Sequence, residues 1–323
     1  MQPMRILVTG GAGFIGSHLV DGLLAQGHDV SALDNLSTGR LENLSHLAGH
    51  AAFQLVQGDI LDMGLVDRLV AGVDMVYHLA AAVGVAHVVR DPLGGLRTNV
   101  RGTENVLEAC ARYHRPILLA SSSEVYGRSR RIPFRENGER LLGPTTVTRW
   151  AYATAKAVDE HLALAYASQE GLRVSIVRYF NAYGPRLDPQ GYGSVIARFL
   201  GQALRGDPLT VHGDGKQTRC FTYIDDTVRG TILAATKEEG AGEIFNIGSR
   251  QETSVRELAE RILVITGSRS PIVFLPYGQV YGSRFEDPPR RRPSVRKAAR
   301  LLGFRARIPL EEGLRRTLAY FQR

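Results

Sequence analysis

Four side chains in the middle of the chain have the types and spacing to move a proton on and off an alcohol. Ser122 and Glu124 end the run LLASSSEVYG, and Tyr152 and Lys156 open the run AYATAKAVDEHLALAYA. Four residues apart on a helix, Tyr152 and Lys156 share one face, and an ammonium beside a phenol favours the ionised phenolate. A phenolate accepts a hydroxyl proton, and a serine hydroxyl can bond the same oxygen. Tyr-x-x-x-Lys alone arises in many helices by chance. Here only positions 156, 216, 237 and 297 are lysine and every other Lys/Arg position is arginine. The planar guanidinium fork is a poor replacement for a compact ammonium.

A second group of residues lies at the N-terminus. Gly10, Gly13 and Gly16 punctuate TGGAGFIG, between the apolar run Met4 to Thr9 and a segment of helical periodicity, with Phe14 and Ile15 inside the turn. The spacing is one residue wider than Gly-x-Gly-x-x-Gly. Its physical demand is the same: a tight turn, close backbone approach to a pyrophosphate, and free N–H groups at a helix start. Asp34 ends the next strand pattern, where a carboxylate accepts the ribose hydroxyls of an adenosine and repels a 2′-phosphate. NAD is therefore favoured over NADP, although Arg40, in the following NLSTGR, could compensate. Asn35, the Asp59-Ile60 pair, Leu79-Ala80 and Asn99 complete the candidate cofactor set. His78 reads as a packed, hydrogen-bonded histidine rather than a ligand.

These residues need a scaffold. Strand and helix patterns alternate five times up to the Tyr152 segment, predicting a doubly wound parallel sheet with its ligand crevice at the carboxyl ends of the strands. Asp34, Asp59, Ala80 and Ser122 all sit at such ends. Residues 1–180 read as a Rossmann-type NAD-binding domain and 181–323 as a smaller substrate lobe interleaved with the last strands. In that lobe we expect a helix from Ser194 to Leu204, a strand from Leu209 to His212, and a helix capped by Asp225. The basic run Pro288 to Ser294 forms a rigid turn able to aim a guanidinium at a carboxylate.

Composition narrows the classes. Forty basic residues against 32 acidic ones give a net charge of +8. The arginines are dispersed and aromatics do not alternate with them, so nucleic-acid binding is disfavoured, while a cleft for an anionic diphosphate explains part of the excess. No apolar run reaches the roughly 20 residues of a membrane span, and the N-terminus lacks a secretory pattern. Cys110 and Cys220 are unpatterned, which argues against a disulfide framework or a metal site and fits a reducing, cytoplasmic setting.

With TGGAGFIG, SSSEVYG, YATAK, RYFNAYGPR and GDGKQTRCFTYIDD in order, the chain resembles the extended short-chain dehydrogenase/reductases acting on nucleotide sugars. The resemblance implies that Tyr152 is the base, that Lys156 lowers its pKa and holds the nicotinamide ribose, and that Ser122 bonds the sugar C4 oxygen. Ser123 stands where dehydratases carry aspartate. The run Ser122-Ser123-Glu124 and the turn Arg290 to Ser294 are similar to UDP-glucuronate decarboxylases. That likeness implies NAD-dependent oxidation of UDP-glucuronate at C4 and loss of CO2 to UDP-xylose. Arg291 would grip the carboxylate, while Glu124 and Ser123 orient the ring or a proton-delivering water. Arg219 and Asn181 would meet the diphosphate or sugar, with Arg186 also on the substrate side. Thr210 and His212 would bind uracil and Tyr179 would flank the nicotinamide. The alternative is an NAD-dependent 4-epimerase. Ser122, where relatives carry threonine, predicts some release of a 4-keto-pentose. Relatives also imply a homodimer through helices at 92–114 and 150–170.

Overall fold

The computed structural model describes residues 2–83, 91–188, 194–281 and 286–322. Its central sheet is parallel throughout, in the order β11-β6-β5-β4-β1-β2-β3. The strands are β1 (Arg5–Thr9), β2 (Asp29–Asp34), β3 (Phe53–Gln57), β4 (Met75–His78), β5 (Ile117–Ser122), β6 (Val174–Tyr179) and β11 (Glu243–Ile247). Strand order reverses between β1 and β4, the switch point outside whose carboxyl ends such folds hold a ligand. The doubly wound α/β fold expected from the alternation is the observed one.

Both faces of the sheet are covered, and the period-2 alternation of strands shows how. Ile6 and Val8 face one layer with Leu118 and Val177. Leu7 faces the other with Ile117, Leu119 and Ile176. The first layer is built by α1 (Phe14–Leu24) and a later helix, Ile224–Thr236. The second is built by α2 (Met63–Ala71), α3 (Gly102–Arg112) and α4 (Trp150–Gln169). Each buried aliphatic side chain contributes roughly 1.5–3 kcal/mol. Helix α3 follows the segments Pro92–Leu96 and Arg97–Arg101, the latter a π-turn. The expected unbroken helix therefore has a local bulge, and Asn99 lies within it.

Beyond β6 come β7 (Ala182–Tyr183), α5 (Val195–Arg205), β8 (Leu209–His212), β9 (Thr218–Cys220), β10 (Thr222–Tyr223) and α6 (Ile224–Thr236). β12 (Glu252–Ser254) and β14 (Arg290–Arg291) pair with β9, and β13 (Ile272–Leu275) pairs with β8. Asp225 is not the cap of α6. The cap position is Tyr223, and the buried Asp226 instead accepts from the N–H groups of Arg307 and Ile308 at 2.7 and 2.8 Å.

Candidate active site

The glycine turn is shaped as its spacing demands. Gly10 takes φ +72°, and a Cβ there would stand 2.7 Å from the Ala80 nitrogen. A Cβ on Gly16 would stand 2.0 Å from the Gly10 carbonyl, so this crossing of turn and helix admits only glycine. Helix α1 begins after Gly13 with no side-chain cap and no acid in its first turn. Its first N–H groups and dipole are thus available to an anion. We expect Gly16→Ala to weaken NAD binding by at least about tenfold, roughly 1.4 kcal/mol, in a calorimetric titration.

Asp34, at the end of β2, accepts from the backbone N–H of Ala12 at 2.9 Å and of Leu36 at 2.8 Å. Burial raises its pKa against those bonds. Asn35 donates to Asp59 at 2.8 Å, and Asp59 also accepts from Leu61, which stiffens this corner. Arg40, the residue that could have met a 2′-phosphate, is paired with Asp188 at 2.7 Å. Asn99 is placed differently from expectation. Its amide bonds both the N–H and the carbonyl of Ala82, at 2.7 and 3.2 Å, so it supports the wall after β4 rather than facing a cofactor. The glycine turn, the uncapped helix start and Asp34 together fit an NAD molecule.

Ser122 ends β5 beside Tyr179, its register partner on β6. Its hydroxyl accepts from the Glu124 N–H at 3.2 Å, which tightens the turn Ser123–Tyr126 and directs Glu124 inward. Ser123 is buried in that turn. The Tyr179 hydroxyl is bonded to Thr231 at 2.8 Å, fixing its ring at the strand end. Tyr152, in the first turn of α4, hydrogen-bonds Ser122. Its phenol is not lowered here as the Tyr/Lys spacing suggested. Burial raises its pKa first, the charges of Glu124 and Asp159 raise it further, and the Ser122 bond opposes them. The Lys156 ammonium lies 3.1 Å from Asp159, whose charge offsets it.

Around Glu124 the tertiary fold gathers five more groups. Arg149 donates to Glu124 at 2.8 Å and Arg291 to its other oxygen. Asp287 lies 2.7 Å from Arg219, 3.6 Å from Arg291 and 3.7 Å from Arg149, and the Tyr277 hydroxyl donates to it at 3.1 Å. Burial alone would raise the Glu124 pKa, but Arg291 and Arg149 hold it down to about 2. Among the described residues, three guanidiniums against two carboxylates leave one positive charge in excess beside Ser122 and Tyr152. Such a site attracts an anion. Within the basic turn Arg291 is 5% exposed while Arg290 faces solvent, so β14 aims one arginine inward.

Sequence reasoning missed Asp287 and Tyr277, which carry no local signature, and gave Arg149 no role of its own. Other candidate residues have protein partners of their own. Arg186 is held by Asp21 of α1 at 2.7 Å rather than joining this cluster. Thr210 is occupied by Gln202, which bonds both its N–H and its hydroxyl, and His212 is bonded to Tyr281 at 3.1 Å. Asn181 reaches the Cys220 carbonyl at 3.4 Å. His78 is packed between Thr9 and Thr103.

Comparison with known proteins gives the same picture. Residues 6–248 match the model of the NAD dependent epimerase/dehydratase family. The chain is 45% identical over 318 residues to a UDP-N-acetyl-alpha-D-glucosaminuronate decarboxylase of Bacillus cytotoxicus, covering 98% of each. It is 41% identical to UDP-glucuronic acid decarboxylase 1 of Danio rerio, covering 99% of this chain and 73% of that protein. Among solved structures it is similar to a UDP-glucuronic acid 4-epimerase from Bacillus cereus in complex with UDP-glucuronic acid and NAD, with a TM-score of 0.89 and 32% identity over 99% of each chain. With the glycine turn, the strand-end acid and the Ser122/Tyr152/Lys156 set in place, the chain belongs to the NAD dependent epimerase/dehydratase family.

Proposed function

We propose that this protein is an NAD-dependent decarboxylase of UDP-glucuronate. The observation that carries the reading is the buried cluster of Arg149, Arg219 and Arg291 beside Ser122 and Tyr152. Arg219 serves the diphosphate that any UDP-sugar carries, whereas Arg291 and Arg149, both on Glu124, find a use in a sugar carboxylate. Decarboxylases similar over 98–99% of this chain support it.

Bound NAD supplies the hydride acceptor. Tyr152 takes the proton of the C4 hydroxyl and Ser122 bonds the same oxygen, holding it while C4 becomes a ketone. The carboxylate at C5 is then β to a carbonyl. It leaves as CO2, its C–C bond electrons passing into an enolate that C5 recovers as it takes a proton; return of the hydride to C4 and of the proton from Tyr152 to the C4 oxygen then gives UDP-xylose. Arg291 orients the carboxylate. To do so it gives up part of its grip on Glu124, which Arg149 still holds. Released in this way, Glu124 sits with Ser123 to position the ring or the water that reprotonates C5. Arg219 balances the diphosphate. Lys156 holds the nicotinamide ribose. The protein works as a homodimer, for which the exposed Leu93, Leu96 and Val158 on the two helical segments provide apolar surface. The free thiols of Cys110 and Cys220 suit the cytoplasm.

A second reading is 4-epimerisation, favoured by the similarity to an epimerase that binds UDP-glucuronic acid. Proton NMR of UDP-glucuronate incubated with the protein separates the two. Decarboxylation gives UDP-xylose together with some hydrated 4-keto-pentose, because Ser122 lacks the methyl that would restrict its rotamer. Ser122→Thr lowers the ketone share. UDP-galacturonate with its carboxylate intact would establish the epimerase. UDP-N-acetylglucosaminuronate, run in parallel, compares the two decarboxylase substrates named among relatives.

A further inference from the structure

One buried acid has no part in the chemistry above. Asp159 is one turn beyond Lys156 on α4, and positions 152, 156 and 159 fall on one helix face. It is wholly buried, and Lys156 is 2% exposed. The ammonium lies 3.1 Å from one carboxylate oxygen, yet neither oxygen makes a well-aligned hydrogen bond. A buried carboxylate in that condition is costly, and an apolar residue at 159 would avoid the cost.

The surroundings point at this carboxylate. The Ala80 N–H donates to the Thr9 hydroxyl at 3.2 Å, Thr9 bonds His78 Nδ1 at 2.7 Å, and His78 Nε2 bonds the Thr103 hydroxyl at 3.1 Å. Thr103 in turn flanks Asp159, whose pKa is raised by burial against the opposing pull of the Lys156 charge and of Thr103. Burial, with the nearby Lys156 charge, keeps His78 neutral, its pKa lowered to about 3. The contacts run from the Ala80 N–H through Thr9 and His78 to Thr103, beside Asp159. All of these side chains are buried.

We propose that Asp159 is a positioning residue of the reaction, holding the Lys156 ammonium from behind and restraining Tyr152 as a base through its negative charge. This rests on the role of base assigned to Tyr152. The groups facing Tyr152 are Ser122 and Glu124 from the end of β5, with Lys156 and Asp159 from its own helix; Glu124 is itself neutralised by Arg149 and Arg291. Asp159 faces Lys156 and Glu160 on α4, Thr103 on α3 and, through Thr103, His78 on β4. Of the two acids near the phenol, Glu124 is held by two guanidiniums and Asp159 by the single Lys156 ammonium. Removal of Asp159 lets the phenol ionise more easily, so the rising limb of rate against pH moves to lower pH.

The test compares Asp159→Asn with Asp159→Glu in the NAD-loaded protein. The pH dependence of NADH appearance at saturating UDP-glucuronate is followed, together with the ring carbon signal of ¹³C-labelled Tyr152, assigned with Tyr152→Phe. The expected result is a limb about one pH unit lower in Asp159→Asn, about a tenfold gain in the ionised fraction below the limb. Asp159→Glu, which keeps the charge, leaves the limb near that of the unaltered protein. If Asp159→Asn does not fold, Asp159→Ala repeats the charge removal. A merely structural role predicts the reverse order: the isosteric Asn is mild, the longer Glu is damaging, and no limb moves. An unmoved limb and an unmoved tyrosine signal overturn the proposal. Product analysis judges the decarboxylase reading separately, because the tyrosine signal needs no substrate.

Discussion

Tyr152→Phe is expected to lower the rate of NADH formation from UDP-glucuronate by about 10³-fold, within the range of a lost general base. The substitution deletes one oxygen and keeps the ring, so α4 retains its packing and the sheet is untouched. Ser122 loses a hydrogen-bond partner but keeps its contact with the Glu124 N–H at 3.2 Å. NAD affinity, set by the glycine turn and Asp34, stays within a few-fold. Single-turnover absorbance measures the first effect and calorimetry the second. In the unaltered protein the rate rises with pH. Burial and two acids hold the phenol above its ordinary value, and the base form gains as pH climbs toward that raised pKa. Phe at 152 removes this limb. A Tyr152→Phe protein that still forms NADH within tenfold of normal would transfer the base role to another group.

The second large effect belongs to Arg291. Arg291→Ala is expected to reduce decarboxylation of UDP-glucuronate by about 10²–10³-fold, the usual cost of deleting a group that stabilises charge in the reacting state. Oxidation of neutral UDP-glucose by the same variant stays within a few-fold, since uniform damage to the site is not the mechanism. The fold tolerates the change. Glu124 keeps Arg149 at 2.8 Å and Asp287 keeps Arg219 at 2.7 Å, so neither acid is left buried without a cation. The stability loss falls below the ~3–5 kcal/mol of an orphaned buried charge. Parallel assays on the two sugars, with thermal melts, check both halves. Equal losses on both sugars would make Arg291 a structural residue only.

The division between what was legible in the sequence and what was not follows the range of the interactions. The glycine turn, Asp34 at the end of β2, and Tyr152 with Lys156 on one helix face are set by spacing within a few residues, and local geometry decides them. So does the alternation that yields the parallel sheet. The charged cluster is assembled from the end of β5, the start of α4, β9 and β14, and no local pattern marks Asp287 as the acid between three arginines. The partners of other polar candidates were likewise not visible. Thr210, His212, Asn99 and Arg186 have suitable types, and in the fold each also bonds a protein neighbour, Gln202, Tyr281, Ala82 and Asp21 in turn. The Tyr152 phenol is the sharpest case. Its nearest cation was visible in the spacing, while Glu124 and the burial that outweigh that cation come from packing. Asp159 stood in the same run of letters, and only its burial against Lys156 distinguishes it from a solvated helix acid.

The most direct measurement is carbon NMR of UDP-glucuronate labelled with ¹³C at C6, incubated with the NAD-loaded protein in a sealed tube. The account predicts that the carboxylate signal is lost and an equal amount of labelled CO2 and bicarbonate appears. Labelled carboxylate retained on the sugar, at C4-inverted or unchanged stereochemistry, would contradict it.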